Sequence, residues 1–431
     1  MKIAGYDIDN AARVLSRIHL MTIEQKLDWQ NKCKWDIAKF HYDNNEFYDN
    51  KIQGRFPDKW EDLPIMQKED YQIEINKMLS SGYRKNKIYL ANTSGSSGNP
   101  FFYAKNKSAH AMTWALTQNR YGWHGLNLDS KQARYFGTPL ENRSKYYEMV
   151  KDLMLNRKKL LIFDLSDEAL ENHIKLFSRI KFKYIYGYTN SLVLFARYLL
   201  RKKITLNSIC STIQICITTS EVLTYEDRKI LHTAFGIMII NEYGVSEAGG
   251  ITAFEDSDSN WILSHETQFI EIVNEDGCPV NIGEEGKILI TDLHNKAMPF
   301  IRYEVGDIGV LNNKNNSNCI TLSKLTGRTN DTILLPSGKK SPGLTFYYIS
   351  RSILESSGVL KEFIIRQTKV DTFILEIVSD RPLNSKEIKK IQNKMDVYLE
   401  PGLTLEINRL HNIKRPKSGK LKHFYSEISD K

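Results

Sequence analysis

Two spacings of apolar residues divide the chain. Across residues 131–240, short apolar runs (Leu160-Leu161-Ile162-Phe163, Tyr184-Ile185-Tyr186-Gly187-Tyr188, Ile213-Gln214-Ile215-Cys216-Ile217, Ile237-Met238-Ile239-Ile240) alternate with stretches of helical period at 167–180 and 191–202. Such alternation predicts α/β units around a partly parallel sheet. Upstream, helices are expected over 22–40 and 68–79, as a lead-in that packs on the body, and a buried one over 108–122, where Ala, Met and Trp are frequent. From Phe269 the texture changes to strand and turn: 269–273, the turn Glu275-Asp276-Gly277, then 286–291, a compact β layer. Beyond Gly327 a smaller αβ unit is expected, with strands at 363–366, 372–378 and 404–407 and a helix at 385–399. The polar stretch Gly327-Arg328-Thr329-Asn330-Asp331 is the boundary between them, dividing the chain into 1–329 and 330–431.

Composition narrows the class without choosing a function. At 431 residues the chain has room for two or three packing units of about 150 residues each. Apolar residues at 41% and charged residues at 26% are those of an ordinary globular protein and suggest neither disorder nor a fibrous class. The five cysteines are scattered, without a Cys-x-x-Cys pair or a histidine cluster, which argues for a reducing compartment and against structural zinc. Met1-Lys2-Ile3-Ala4-Gly5-Tyr6-Asp7 turns polar too early for a signal peptide, and no apolar run approaches the roughly 18 to 20 residues that span a bilayer, so a cytoplasmic protein with no integral membrane segment is expected. The net charge of +9, with lysines gathered at 385–390 and 414–417, reads either as a solvated helix face and tail or as a landing surface for an anionic nucleotide, coenzyme or carrier. No nucleic-acid recognition motif accompanies it, and no nucleic-acid partner is expected.

Candidate chemistry enters at Thr93-Ser94-Gly95-Ser96-Ser97-Gly98-Asn99-Pro100, between the strand-like runs Lys87-Ile88-Tyr89-Leu90-Ala91 and Phe101-Phe102-Tyr103. Two glycines and four hydroxyl residues between β-formers suit a turn whose N–H groups and hydroxyls face one centre, and such a nest attracts phosphate. A mobile Ser/Gly hairpin is the plain alternative. No Gly-Lys-Ser/Thr follows, so this is not a Walker loop, and the Gly-x-Ser-x-Gly spacing of a hydrolase elbow is missing too.

Four further stretches follow in order: Asn241-Glu242-Tyr243-Gly244-Val245-Ser246-Glu247, Pro299-Phe300-Ile301-Arg302-Tyr303-Glu304-Val305-Gly306-Asp307, Leu325-Thr326-Gly327-Arg328-Thr329-Asn330-Asp331, and Lys414-Arg415-Pro416-Lys417-Ser418-Gly419-Lys420. With the Ser/Gly turn, and in this order, they resemble the adenylate-forming (ANL) superfamily, specifically its phenylacetate-CoA ligase and capsular polysaccharide biosynthesis adenylating branch. The resemblance spans the chain from about Leu63 onward. It implies a large, multi-subdomain α/β N-terminal adenylate-forming domain and a small mobile αβ C-terminal domain.

Adenylation joins a carboxylate to the α-phosphate of ATP and expels pyrophosphate, so a site must hold triphosphate, metal, ribose and developing charge in one geometry. The resemblance assigns each need. Thr93, Ser94, Gly95, Ser96, Ser97 and Gly98 would cradle the β- and γ-phosphates; Tyr243 would lie against adenine, Ser246 reach the α-phosphate and Glu247 bind Mg2+, an ion that takes one or two carboxylates when phosphates supply the rest. Ser220 and Glu221 correspond to a Gly-Glu turn beside adenine, with a strand-to-helix cap by Ser220 as the alternative. Asp307 would accept both ribose hydroxyls, Arg328 contact the nucleotide, Asn330 serve as hinge, and Lys420 act as the catalytic lysine.

Several positions depart from the family pattern. Phe101 stands where lysine is common, with Lys105 as a substitute phosphate contact; Val305 replaces Thr; Asn330 replaces Asp or Lys; and the shortened lysine loop makes Lys417 an alternative to Lys420. The implied activity is an ATP-dependent, AMP-forming ligase acting on a small-molecule carboxylic acid. Its acceptor would be a thiol, coenzyme A or a carrier protein, or else an amine such as an amino sugar in surface-polysaccharide synthesis. A catalytically weak adenylate-binding scaffold is the third reading.

Overall fold

The computed structural model describes residues 5–71, 73–93, 101–136, 149–160, 167–313, 320–328, 332–338, 340–342, 349, 360–379, 381–413 and 424–428. Contacts divide the chain into two units. The larger runs to Val305 and includes Gly309–Lys324; the smaller holds Gly306–Ile308, Leu325–Pro416 and Lys420–Lys431.

In the larger unit, β1 (Tyr89–Thr93) and β2 (Phe101–Lys105) form an antiparallel hairpin with Thr93 opposite Phe101. The main sheet gathers β3 (Gln132–Tyr135), β4 (Arg157–Leu160), β5 (Tyr184–Tyr188), β6 (Ile215–Thr219), β7 (Met238–Val245), β8 (Gly250–Glu255), β9 (Trp261–Leu263), β10 (Gln268–Val273), β11 (Glu285–Asp292), β12 (Tyr303–Asn313) and β13 (Ile320–Arg328). Their order is β10-β11-β12-β13-β9-β8-β7-β6-β5-β3-β4. The run β4-β3-β5-β6-β7 is parallel, as the alternation of strand and helix requires. At β7 the direction reverses: β8 returns antiparallel and begins the β-rich part.

Every residue of β6 is buried, because helices cover both faces of the parallel run. On one face Ala133, Tyr135, Ile185 and Cys216 pack with the helices Asp167–Arg179, Thr189–Lys202 and Tyr225–Phe235. On the other, Tyr184, Ile215, Ile217 and Ile240 pack with the helices Ile8–Leu20 and Lys107–Gly122.

The smaller unit pairs β14 (Thr332–Leu334) with β15 (Lys340–Pro342) and builds a sheet from β16 (Leu360–Lys369), β17 (Thr372–Ser379), β18 (Thr404–Leu410) and β19 (Phe424–Ser426), in the order β18-β17-β16-β19. Along β17 burial alternates, with Phe373, Leu375 and Ile377 turned inward. They meet Ile391 and Met395 of the helix Ser385–Tyr398, which Asn384 and Glu387 begin with a reciprocal capping box. The expected fold class, a large α/β body with a small αβ unit, is what the chain adopts.

Two local expectations are corrected. Residues 68–79 do not form one helix but two 3-10 turns, Lys68–Tyr71 and Ile75–Met78. Asp70 accepts the Gln67 backbone N–H at 2.8 Å, a side-chain bond that competes with helix, while Tyr71 is drawn into the core to donate to the Pro299 carbonyl at 2.9 Å. The helix Ile8–Leu20, absent from the sequence reading, is started by Asp7, which accepts the Asn10 N–H, and buries Ala11, Leu15 and Ile18.

Candidate active site

The turn that joins β7 to β8 carries Ser246 and Glu247. Gly249 and Gly250 have φ of 106° and 104°, in the left-handed region that side chains avoid. A Cβ on Gly250 would stand 2.6 Å from Thr113 Cγ2, and one on Gly249 would stand 2.5 Å from Gln268 Nε2. Thr113 and Gln268 approach that closely because they hold the turn: the Thr113 hydroxyl lies 3.1 Å from the Gly249 carbonyl, and Gln268 Nε2 donates to the Ala248 carbonyl at 2.6 Å. A helix from one side and a strand from the other thus fix the backbone that presents Glu247.

The Tyr303 hydroxyl donates to Glu247 Oε1 at 3.2 Å, and the Tyr303 ring is fixed edge-on by Tyr71 and Phe300. Ser246 stands beside the hydroxyl of Tyr103, whose pKa burial raises. Behind the turn is Lys105. Burial lowers its pKa, and Asp292 and Glu247 oppose the shift. Tyr243, half-buried, lies nearly parallel to Trp261, with ring centroids 6.2 Å apart. Trp261 is itself fixed by donating to Glu255 Oε1 at 2.7 Å.

Glu242, next to Tyr243, belongs to the core. Burial raises its pKa, while Tyr186 (2.7 Å) and Tyr121 (3.0 Å) donate to its two oxygens and, with Arg134, oppose the rise. Arg302, from the Pro299 to Asp307 motif, is a structural hub. Its buried guanidinium donates to the carbonyls of Glu61, Leu63 and Gly277 and ties the lead-in to the β layer.

Ser220 and Glu221 follow β6, whose last residue Thr219 pairs with Glu242 of β7. Ser220 adopts φ 71°, the conformation a glycine would take without strain. Glu221 Oε2 accepts the backbone N–H of Asn190 at 2.8 Å and thereby caps the helix Thr189–Lys202. The alternative role of Ser220 as a helix cap is not what the structure shows: Thr224 caps the helix Tyr225–Phe235 by accepting the Asp227 N–H.

The structure therefore places Tyr243, Ser246 and Glu247 at the C-terminal end of β7, an interior strand, with Ser220 and Glu221 just past the end of the adjacent β6. Asp307 is buried within β12 immediately after Gly306, whose φ is 80°. Arg328 ends β13 and Thr93 ends β1, their side chains outside the described set. Ser94, Gly95, Ser96, Ser97, Gly98, Asn330, Lys417 and Lys420 lie outside the described residues. Thr113, Gln268 and Trp261 carried no sequence signal, because each reaches the site from a remote segment; Tyr303 lies inside the Pro299 to Asp307 stretch, which gives no sign of its contact with Glu247.

Among the described residues no group of three His, Cys, Asp or Glu side chains could cage a metal ion. A lone carboxylate braced by a phenol fits Mg2+, which keeps water and phosphate oxygens for most of its ligands. Among the described residues no helix is long and apolar enough to cross a membrane.

No family model matches the chain. The chain is similar in sequence and in fold to adenylate-forming ligases, CoA ligases among them. In particular, it is 23% identical to Protein CapK of Staphylococcus aureus over 416 residues, 93% of this chain and 89% of that one. It is 30% identical to the phenylacetate-coenzyme A ligase of Escherichia coli (strain K12) over 131 residues, 29% of this chain and 30% of that one. Its fold matches that of 2-hydroxyisobutyryl-CoA ligase, solved in the postadenylation state with an acyl-AMP, with a TM-score of 0.70 over 95% of this chain and 90% of that one at 14% identity.

Proposed function

We propose that the chain is an ATP-dependent, AMP-forming carboxylate ligase that passes its acyl group to a thiol, most simply coenzyme A. The observation that carries this reading is the Ser246-Glu247 turn, clamped by Thr113 and Gln268 next to Tyr243. It offers an aromatic face, a hydroxyl and a carboxylate from a fixed backbone, a combination suited to adenine, the α-phosphate and a metal. Thr93 to Gly98 would hold the outer phosphates, Asp307 the ribose and Arg328 the nucleotide, with Ser220 and Glu221 beside the base. Glu247 would hold Mg2+, which would neutralise phosphate charge there. Residues 1–329 would form the adenylating domain and 330–431 a mobile domain that brings up Lys420.

In the first half-reaction a carboxylate oxygen attacks the α-phosphorus, and the bond to pyrophosphate breaks. Lys420 would stabilise the charge that accumulates, an effect typically worth about 10²–10³ in rate for one such donor. In the second, a thiolate attacks the acyl carbon and AMP leaves. The scattered thiols Cys33, Cys210, Cys216 and Cys278, all unpaired, suit a reducing, cytoplasmic setting.

The test is ATP- and Mg2+-dependent release of pyrophosphate across aryl, fatty, hydroxy and amino acids, with AMP and ADP resolved. AMP formation with one acid class is expected, lost in Glu247→Ala and reduced in Lys420→Ala. Thiol and amine acceptors are then compared on the acyl-adenylate, and transfer to the amine alone would replace coenzyme A as acceptor. Bound ATP with no AMP from any acid would overturn the ligase reading in favour of an adenylate-binding scaffold.

A further inference from the structure

The parallel strands β3 and β5 are neighbours, but the chain leaves β3 toward β4 on one side and leaves β5 toward β6 on the other. The crevice outside their carboxyl ends is therefore a topological switch point, the place where open α/β sheets take ligands. Arg134, the last residue but one of β3, belongs to it. Its guanidinium carbon lies 4.2 Å from the centre of the Phe136 ring and 4.9 Å from that of Tyr186, and these two rings are themselves stacked with centroids 5.1 Å apart. Because Phe136 lies just past β3, the arginine leans along its strand toward the carboxyl end. Nη1 donates to Gln132 Oε1 at 3.2 Å, and Gln132 is pinned in turn by donating to the Tyr184 hydroxyl at 2.8 Å.

A guanidinium has five donors and keeps its charge at every physiological pH. Among the described residues the Gln132 contact is the one hydrogen bond of Arg134, and no carboxylate stands within ion-pair distance of it. The side chain is half-buried and still reaches solvent. Glu242 is the acid that could neutralise it, but Glu242 is 6% exposed and its two oxygens already accept the hydroxyls of Tyr186 and Tyr121. The same contact makes one wall of the crevice and the nucleotide position: Tyr186, under the guanidinium, reaches Glu242, and Glu242 precedes Tyr243.

Two aromatic faces fix the plane of the guanidinium and leave its N–H edge to whatever occupies the crevice. A carboxylate matches that edge with two parallel charge-assisted bonds. A methyl group or ring there would take water from the charge and return nothing, and an ammonium would be repelled.

We propose that the acid taken by this chain is a dicarboxylate, one carboxylate going to the α-phosphate beside Ser246 and the second gripped by Arg134. The proposal rests on the ligase reading above and makes Arg134 the residue that sets the class of acid.

The test is calorimetric titration of the full chain, with a non-hydrolysable ATP analogue present, by linear and aromatic dicarboxylic acids and by monocarboxylic acids of the same length. At least one diacid should bind about tenfold or more tightly than its monoacid, and Arg134→Gln should bring the two within about twofold of each other. Equal affinity in wild type overturns the proposal, as does the absence of binding by every diacid or a preference that survives Arg134→Gln. An arginine that only holds β3 against β5 would lower the melting temperature of Arg134→Gln and leave the diacid-to-monoacid ratio at its wild-type value, which also overturns it. Should that variant not fold by circular dichroism, the wild-type ratio decides alone. The titration needs no turnover, so the two readings fail separately: diacid binding without AMP formation would leave the Arg134 site and sink the ligase, and AMP formed from monoacids alone would leave the ligase and sink the Arg134 site.

Discussion

Ser220 is exposed and holds a left-handed backbone, φ 71°, between β6 and the helix Tyr225–Phe235. A residue with a Cβ strains there by roughly 1–2 kcal/mol, whereas glycine gives up about 0.5–1 kcal/mol of chain entropy. Ser220→Gly should therefore raise the melting temperature slightly, by a gain of about 0.5–1 kcal/mol. A lower melting temperature would show instead that the Ser220 hydroxyl holds the turn. The sequence exposes this position as a serine where the resembling turn has glycine, but not that the glycine conformation persists. Tyr243, Ser246 and Glu247 are legible for a different reason: they are contiguous, so the chemistry is written in one stretch. Thr113, Gln268 and Trp261 are not, since a clamp built from three separate elements exists only once the sheet has assembled.

Elements were readable wherever period and length agreed. The buried runs that became β5 and β6 and the helices Lys107–Gly122, Thr189–Lys202 and Ser385–Tyr398 lie within a few residues of their expected places. The 68–79 stretch failed because tertiary anchors at Tyr71 and Met78 outweigh its weak helical preference. What pins one element to another was also illegible. Arg120, 1% exposed on the helix Lys107–Gly122, donates through one terminal nitrogen to both oxygens of Glu266 (2.9 and 2.7 Å), which lies just before β10; His19 from the helix Ile8–Leu20 meets Glu266 at 2.7 Å. Burial pushes the Glu266 carboxyl up, but Arg120 and His19 outweigh it and hold the pKa near 2. Removing one partner strands a buried charge, so Arg120→Met should cost about 3–5 kcal/mol, while Arg120→Met with Glu266→Leu should recover much of that loss. Urea unfolding of both variants decides it; equal losses would mean that Arg120 acts by packing on Trp123 rather than by charge.

For the whole molecule, the two units should respond differently to acid. In the larger unit His41 is fully buried: its Nε2 donates to the Asn295 carbonyl at 2.8 Å and its Nδ1 lies 3.0 Å from the Ser80 hydroxyl. Burial lowers the His41 pKa to about 4, and burial together with Lys105 lowers that of His110 to about 3. Both are neutral in the folded state and protonate near 6.5 when unfolded, so between pH 6.5 and 4 the unfolded chain binds more protons and stability falls as pH falls. His41 alone should remove roughly 3 kcal/mol over that range. The Glu266 contribution, present above its unfolded value, is lost only lower, as pH falls toward 2. Among the described residues the smaller unit has no buried histidine. The six tryptophans, Trp29, Trp35, Trp60, Trp114, Trp123 and Trp261, all belong to the larger unit, so indole fluorescence reports that unit alone. Urea midpoints followed by tryptophan emission should fall steeply from pH 7 to 4, and His41→Gln should flatten much of that dependence. Amide exchange in β16, β17 and the helix Ser385–Tyr398 should change little over the same range. Parallel loss of protection there would mean that the smaller unit depends on the larger for its stability, and an unchanged slope in His41→Gln would place the acid sensitivity on His110 or another group.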